Sequence, residues 1–307
     1  MFVPLPPSAQ GGPLSAHARL VALGLAAAGA IAFSGKAIIV KLAYRHGVDA
    51  VTLLMYRMLF ALPMFLALAW WASRGQTPLS WRDRVKVLTL GFSGYYLSSF
   101  LDFAGLAYIS ASLERLILYL SPTIVLVLGV VLYRRPVSLP QLLSMVLSYA
   151  GVVLVFGHEL NLHAQGTLLG ASLVFASAVT YSLYLTFSGE VVKRLGSFRL
   201  IGLASSVACL CCIAQFVILR PLSAAQVAEP VIWLSVLNAT ACTFAPGLMV
   251  MMAIERIGAT LTSQIGMVGP VSTIIMGVLI LGEPFTVWTA AGSALVMLGV
   301  ALLGRAR

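Results

Sequence analysis

The sequence predicts an all-α multi-pass membrane protein: ten transmembrane helices arranged as two inverted five-helix repeats. Three observations carry that prediction. The chain is 60% hydrophobic and only 9% charged, whereas a soluble domain carries about 25% charged residues. Apolar stretches of about 20 residues, the length that crosses a bilayer core, recur from end to end and give a mean hydropathy of +1.01. The second half also repeats the first. Displaced by 148 residues, Ala111-Ser112-Leu113 falls on Ala259-Thr260-Leu261, Pro122 on Pro270, Pro136 on Pro284 and Gly151-Val152 on Gly299-Val300, with 11 identities in 44 ungapped pairs over 111–154. Five spans per copy is an odd number, so the second copy must enter the bilayer from the opposite side.

The elements follow in order. Residues 1–18 predict a disordered cytoplasmic tail, since 1–16 hold four prolines, two glycines and two serines. The first repeat, 19–158, holds spans at about 20–41, 50–72, 86–107, 112–133 and 138–157. The second, 159–307, holds spans at about 166–189, 199–219, 231–253, 260–281 and 286–304. The turns near 108–111 and 255–259 are the tightest. Trp70, Trp71, Trp81, Trp233 and Trp288 fall near span ends, where the interface favours indole rings. Gly166 and Gly170 open the sixth span at a spacing that permits close helix contact.

A net charge of +10 invites a polyanion-binding reading, but the placement of the charge opposes it. With the N-terminus cytoplasmic, 13 Lys/Arg fall on the inner side, among them Arg74, Arg82, Arg84, Arg134 and Arg256. Only Lys41, Arg45 and Arg220 fall outside. That bias orients both termini to the cytoplasm. No nucleic-acid partner is expected.

The remaining cations, Lys36, Arg57 and Arg115, lie inside spans with Asp102 and Glu114. Charge in hydrocarbon demands a partner or a water-filled path. At 1.5 Å rise per residue all five sit in the outer half of the membrane, with Lys36 and Arg57 about 8–10 Å below its surface. Asp102 and Arg115 lie at equal depth either side of the turn near 108–110 and are expected to pair. Glu114, about 100° around the helix from Arg115, then faces Lys36 or Arg57. Lys36, Arg57, Glu114 and Tyr184 are the candidates for substrate or proton handling, with Glu114 the carboxyl group for the proton. Two structural salt bridges plus a snorkelling Lys36 account for the same residues. The positions 148 further on are Tyr184, Ser205, Val250, Thr262 and Ser263, none of them charged.

Pro122, Pro246 and Pro270 interrupt spans and are the hinge candidates. Each removes a backbone donor and frees a carbonyl four residues earlier, such as Leu118 or Gly266. Cys209, Cys211, Cys212 and Cys242 form no ligand-spaced cluster, and no metal or cofactor is expected. His17, His46, His158 and His163 lie at span ends or in tails, and no hydrolase or P-loop motif is present, so no enzyme is expected.

The segments Ala111-Ser112-Leu113, Ser121-Pro122 and Pro136, with Ala259-Thr260-Leu261, Gly269-Pro270 and Gly282-Glu283-Pro284, resemble the drug/metabolite transporter superfamily in its bacterial EamA-type branch. The first half departs from the pattern with Arg134-Arg135 before Pro136 and with Glu114-Arg115. The resemblance implies export of amino acids or similar small metabolites across the bacterial inner membrane, with the aromatic-amino-acid exporters called YddG as the functional model. It implies a lipid bilayer and a small-molecule substrate as partners, and leaves proton coupling and oligomeric state open. An exchanger of sugar phosphates or nucleotide sugars and a non-transporting scaffold are the alternatives.

Overall fold

A computed structural model describes residues 16–134, 137–162, 166–266 and 268–305. The tail expected over 1–18 lies almost wholly outside them, as do Arg135, Pro136 and His163; the side chains of Lys193, Thr260, Leu261 and Ser263 are likewise outside the description. Among the described residues the only regular structure is helical. The first half contains α1 (Ala16–Tyr44), α2 (Ala50–Ser73), α3 (Trp81–Leu90), a π-helical segment (Gly91–Leu97), α4 (Ser98–Leu106), α5 (Ala111–Leu118), α6 (Ser121–Tyr133) and α7 (Leu139–Leu162). The second contains α8 (Thr167–Leu195), α9 (Ser197–Leu219), α10 (Glu229–Ala239), a π-helical segment (Thr240–Phe244), α11 (Ala245–Gly266), α12 (Val268–Met276), a third π-helical segment (Gly277–Leu281) and α13 (Val287–Arg305). Seven stretches are long and apolar enough to cross a membrane, and Val268–Leu281 and Val287–Leu302 are shorter apolar helices. The protein is a multi-pass membrane protein.

Local signals set the helix ends. Asp49 caps α2 by accepting from Val51 N at 3.0 Å and Thr52 Oγ1 at 2.6 Å. Ser80 caps α3, with its Oγ accepting from Asp83 N at 3.2 Å and donating to Asp83 Oδ2 at 2.6 Å. That reciprocal cap lets the polar run after Trp81 start the helix, five residues before the expected position 86. The expected turn at 255–259 is not a break either, because helical geometry continues through α11. The path from α11 into α12 is nevertheless not one straight helix. Val250 lies against Gly29, whereas Gly269, nineteen residues on, lies against Ser34, only five residues along α1. A straight helix would have travelled about 28 Å.

The packing repeats itself under the 148-residue displacement. Gly151 of α7 meets the Gly292 carbonyl of α13, and Ser144 Oγ donates to the Gly299 carbonyl at 2.7 Å. Gly292 and Gly299 are the counterparts of Ser144 and Gly151, so α7 and α13 run antiparallel about a local two-fold. Ser177 donates to the Ser98 carbonyl at 2.8 Å, and their counterparts Gly29 and Pro246 also touch, at the Pro246 carbonyl. The π-helical segments at 91–97 and 240–244 are counterparts as well. α7 and α13 pack chiefly on each other, outside the main bundle.

Contacts gather at two rims. On the rim where α1 begins, Arg199 donates to Ser73 Oγ at 3.1 Å and to the Thr77 carbonyl at 3.0 Å, and Arg194 pairs with Asp83. On the far rim Arg220 pairs with Asp49 at 3.1 Å, and Arg45 donates to the Leu281 carbonyl at 2.6 Å. Phe103, Leu53, Leu54 and Leu106 fill the core on the far side of α1, α2 and α4. Trp70, Trp81 and Trp233 remain well exposed near helix ends, as an interfacial belt requires.

Candidate functional site

The spans' charged residues meet in one layer nearer the far rim. Lys36 of α1 bonds Asp102 of α4 and lies 3.1 Å from Glu114 of α5. Both carboxyl groups are buried, Glu114 completely. The pairing expected between Asp102 and Arg115 is replaced by Asp102 with Lys36. Equal distance from the 107–110 turn set the depth correctly, but the direction each residue faces around its helix is fixed by neighbours that the turn does not specify. Glu114 turns to α1 and α4, and Arg115 turns to the second half.

Arg115 Nη2 donates to Ser34 Oγ at 3.3 Å, and its guanidinium lies 5.5 Å from the Tyr119 ring centre. Its Nε is buried without a partner, and among the described residues no carboxylate lies within ion-pair distance of it. Arg57 of α2 is buried; its Nε donates to Thr243 Oγ1 at 3.0 Å, and its guanidinium lies 5.0 Å from the Phe103 ring centre. Tyr184 stands apart from the charged layer. Its hydroxyl donates to Tyr95 at 3.3 Å, its ring stacks with Tyr181 at 5.9 Å, and it presses on Gly94 in the first π-helical segment.

The prolines act as breaks more than as bends. Pro122 is not a mid-span kink: the helix stops at Leu118 and α6 restarts at Ser121, which puts Pro122 in a first turn where its missing donor costs nothing. The Leu118 carbonyl accepts from Ser121 Oγ at 2.7 Å. The Gly266 carbonyl, four residues before Pro270, accepts from the Tyr119 hydroxyl. The Gly269 carbonyl accepts from Ser34 Oγ at 2.8 Å. Pro246 stands two residues past the π-helical Thr240–Phe244, whose wider register accommodates the lost i−4 bond.

Several residues at the site carried no sequence signal. Ser34 and Thr243 are single small residues in apolar spans, and Gly269 was legible only as part of Gly269-Pro270. Glu283 was legible only as part of Gly282-Glu283-Pro284. It reaches across the halves to cap α5, accepting from Ala111 N and Ser112 Oγ at 2.7 Å each. The surface clefts of about 460 Å³ beside Val127, Val130 and Leu142, and about 560 Å³ beside Leu42, His46 and Trp233, lie on the flanks. The charged layer is the better candidate, because it gathers Lys36, Arg57, Asp102, Glu114 and Arg115 well inside the spans, whereas the buried Asp83 and Arg199 sit at a rim.

The EamA-like transporter family model matches residues 20–157 and again 168–305. The chain belongs to the EamA-like transporter family. The two matches begin at 20 and 168, the same 148-residue displacement that aligns the sequence with itself. The chain is 30% identical over 261 residues to an uncharacterized transporter, YcbK, of Bacillus subtilis, covering 83% of each protein. It is 26% identical over 234 residues to an uncharacterized transporter of Archaeoglobus fulgidus, covering 75% of this chain and 80% of that one. A solved crystal structure aligns with a TM-score of 0.64 at 17% identity over 94% of this chain and 97% of its own, a likeness of fold alone. Proteins of this family are transporters and not enzymes.

Proposed function

We propose that this protein exports small metabolites, amino acids first among them, across the bacterial inner membrane by alternating access. The observation that carries the reading is a buried layer offering both signs of charge inside the first half and at its seam with the second: the carboxylates Asp102 and Glu114 around Lys36, and Arg57 and Arg115, which face Thr243 and Gly269 and have no carboxylate within ion-pair distance among the described residues. A zwitterion needs both signs, whereas a sugar phosphate calls for cations alone. Ten crossings in two inverted five-helix repeats, 19–158 and 159–307, are supported by the seven long apolar stretches, the two shorter ones and the Trp81–Leu106 element. The antiparallel α7–α13 contact supports the inversion. The concentration of Lys and Arg at the rim where α1 begins supports cytoplasmic termini. Glu114 takes the proton-handling role, since it is fully enclosed and shares Lys36 with a second carboxylate. Pro122, Pro246 and Pro270 stand at breaks suited to hinges.

Counterflow in proteoliposomes tests the reading. Vesicles loaded with unlabelled amino acids should accumulate a labelled amino acid above empty-liposome levels. No accumulation of any amino acid removes that substrate class, and sugar phosphates then take its place in the same assay. A Glu114→Gln variant whose efflux keeps the wild-type dependence on a proton gradient removes Glu114 from proton handling.

A further inference from the structure

We propose that Arg115 is the anchor for the ligand's carboxylate, so that the transported class is carboxylic acids as distinct from their amides or amines. This rests on the export reading in taking the charged layer as the ligand's path. Arg115 sits on the seam where α5 of the first half faces α1 and α12. Its neighbour Glu114 faces Lys36, which it shares with Asp102, on a different side of the helix, and no ion pair joins Glu114 to Arg115. A guanidinium presents five donors in a planar fork matched to a carboxylate. Here one donor makes a long 3.3 Å bond to Ser34, and the Nε is buried with nothing to donate to. A buried donor left unmade is costly, and a cation in a membrane interior without an anion is costlier. Arg57 differs on this point, because its Nε is satisfied by Thr243 at 3.0 Å.

The surroundings converge on the same place. α5 ends just past Arg115, and the chain resumes as a helix only at Ser121; opposite, α12 begins at Val268. Gly269 contributes no side chain where the two meet. A Cβ there would lie 2.8 Å from the Arg115 guanidinium, 3.1 Å from the Tyr119 hydroxyl and 3.3 Å from Ser34 Oγ. One cation and two hydroxyls therefore crowd a single point at the junction of the halves. Separation of the halves exposes the Arg115 fork to a ligand, and closure seals it as it is seen here.

The test uses the purified full chain in detergent. Thermal stabilisation is measured with alanine, leucine and phenylalanine, with their carboxamides and with the corresponding amines. The acids should stabilise the wild type and the carboxamides and amines should not. Arg115→Lys, which keeps the charge and loses the fork, should weaken the acids about tenfold or more. Gly269→Ala, which leaves Arg115 chemically intact and displaces it, should weaken them as well. The anchor is overturned if acids and carboxamides act alike on the wild type, if no acid stabilises it, or if Arg115→Lys and Arg115→Gln both keep the acid preference. Acid binding that depends on Arg115 without counterflow keeps the anchor and removes the export reading. Amino-acid counterflow that is indifferent to Arg115 does the reverse.

Discussion

Replacing Lys36 by Met should destabilise the protein more than any other single change in the charged layer. Lys36 is the one cation within ion-pair distance of Asp102 and Glu114 among the described residues. Asp102 is 3% exposed and Glu114 0%. Lys36→Met therefore leaves two adjacent carboxyl groups buried without a counter-ion. Removing one partner of a buried pair costs about 3–5 kcal/mol. Glu114→Gln leaves the Lys36–Asp102 bond in place and should cost about 1 kcal/mol, the scale of one hydrogen bond. The triple variant Lys36→Met, Asp102→Asn, Glu114→Gln removes all three charges and should recover most of the loss. Melting temperatures in detergent should order as wild type, Glu114→Gln, triple variant, Lys36→Met. At about 2–4 °C per kcal/mol the outer gap is on the order of 10 °C. A Lys36→Met protein that melts with the wild type, or a triple variant no better than Lys36→Met, would refute the assignment of Lys36 as the counter-ion of both carboxylates.

Three further outcomes are expected. Gly151→Ala should lower the melting temperature by an amount worth about 1–3 kcal/mol, because its Cβ would sit 2.5 Å from the Gly292 carbonyl; Gly157→Ala, with nothing within 4 Å, should be neutral or stabilising. Glu283→Ala should cost about 1–3 kcal/mol by leaving Ala111 N and Ser112 Oγ without their acceptor while Ser110 still caps Leu113 N, read as protease sensitivity of the 107–110 turn. At Asp49 partial burial opposes the charged form, but the Thr52 hydrogen bonds and the Arg220 guanidinium outweigh it and hold the carboxyl below its usual range. Its contribution is therefore present above the unfolded-state value and lost as pH falls through the folded one. Asp49→Asn should flatten the acid side of the stability profile and leave the neutral side nearly level with the mutant's own plateau.

Composition and periodicity sufficed for the membrane class, and the 148-residue self-match pointed to the internal repeat because Pro122, Gly151 and their counterparts are backbone devices that both copies need. Depth was also legible. Counting from the turn put Asp102 and Arg115 at one level. What a single sequence did not carry was azimuth: which side of α5 faces α1 and which faces α12 depends on Ser34 and Gly269, residues 81 and 154 positions away. The break at Tyr119–Leu120 was missed for a related reason. A mid-span proline reads equally as a kink or as a first-turn residue, and only the Ser121 hydroxyl taking the Leu118 carbonyl distinguishes them. Residues 81–85 were read as a loop because their polarity outweighed the Ser80 cap.

The local two-fold makes the loss of charge in the second half informative about mechanism. The counterpart of Lys36 is Tyr184, and the counterpart of Cys242, which lies against Gly35, is Gly94, which receives the Tyr184 ring. The same helix contact is thus built twice, on opposite sides of the two-fold. Toward the far rim it is ionic, with Lys36, Asp102 and Glu114. Toward the rim where α1 begins it is aromatic, with Tyr95, Tyr181 and Tyr184. On the alternating-access reading these are the seams that part in turn. An ionic seam is weakened by a proton or by a ligand's own charges, whereas an aromatic seam without carboxylates depends less on either. A symmetric pair of seams would give the two faces the same trigger. On that reading unlike seams would give charge a hold on one face alone, and a Lys36→Met variant should alter transport at that face and a Tyr184→Phe variant should not.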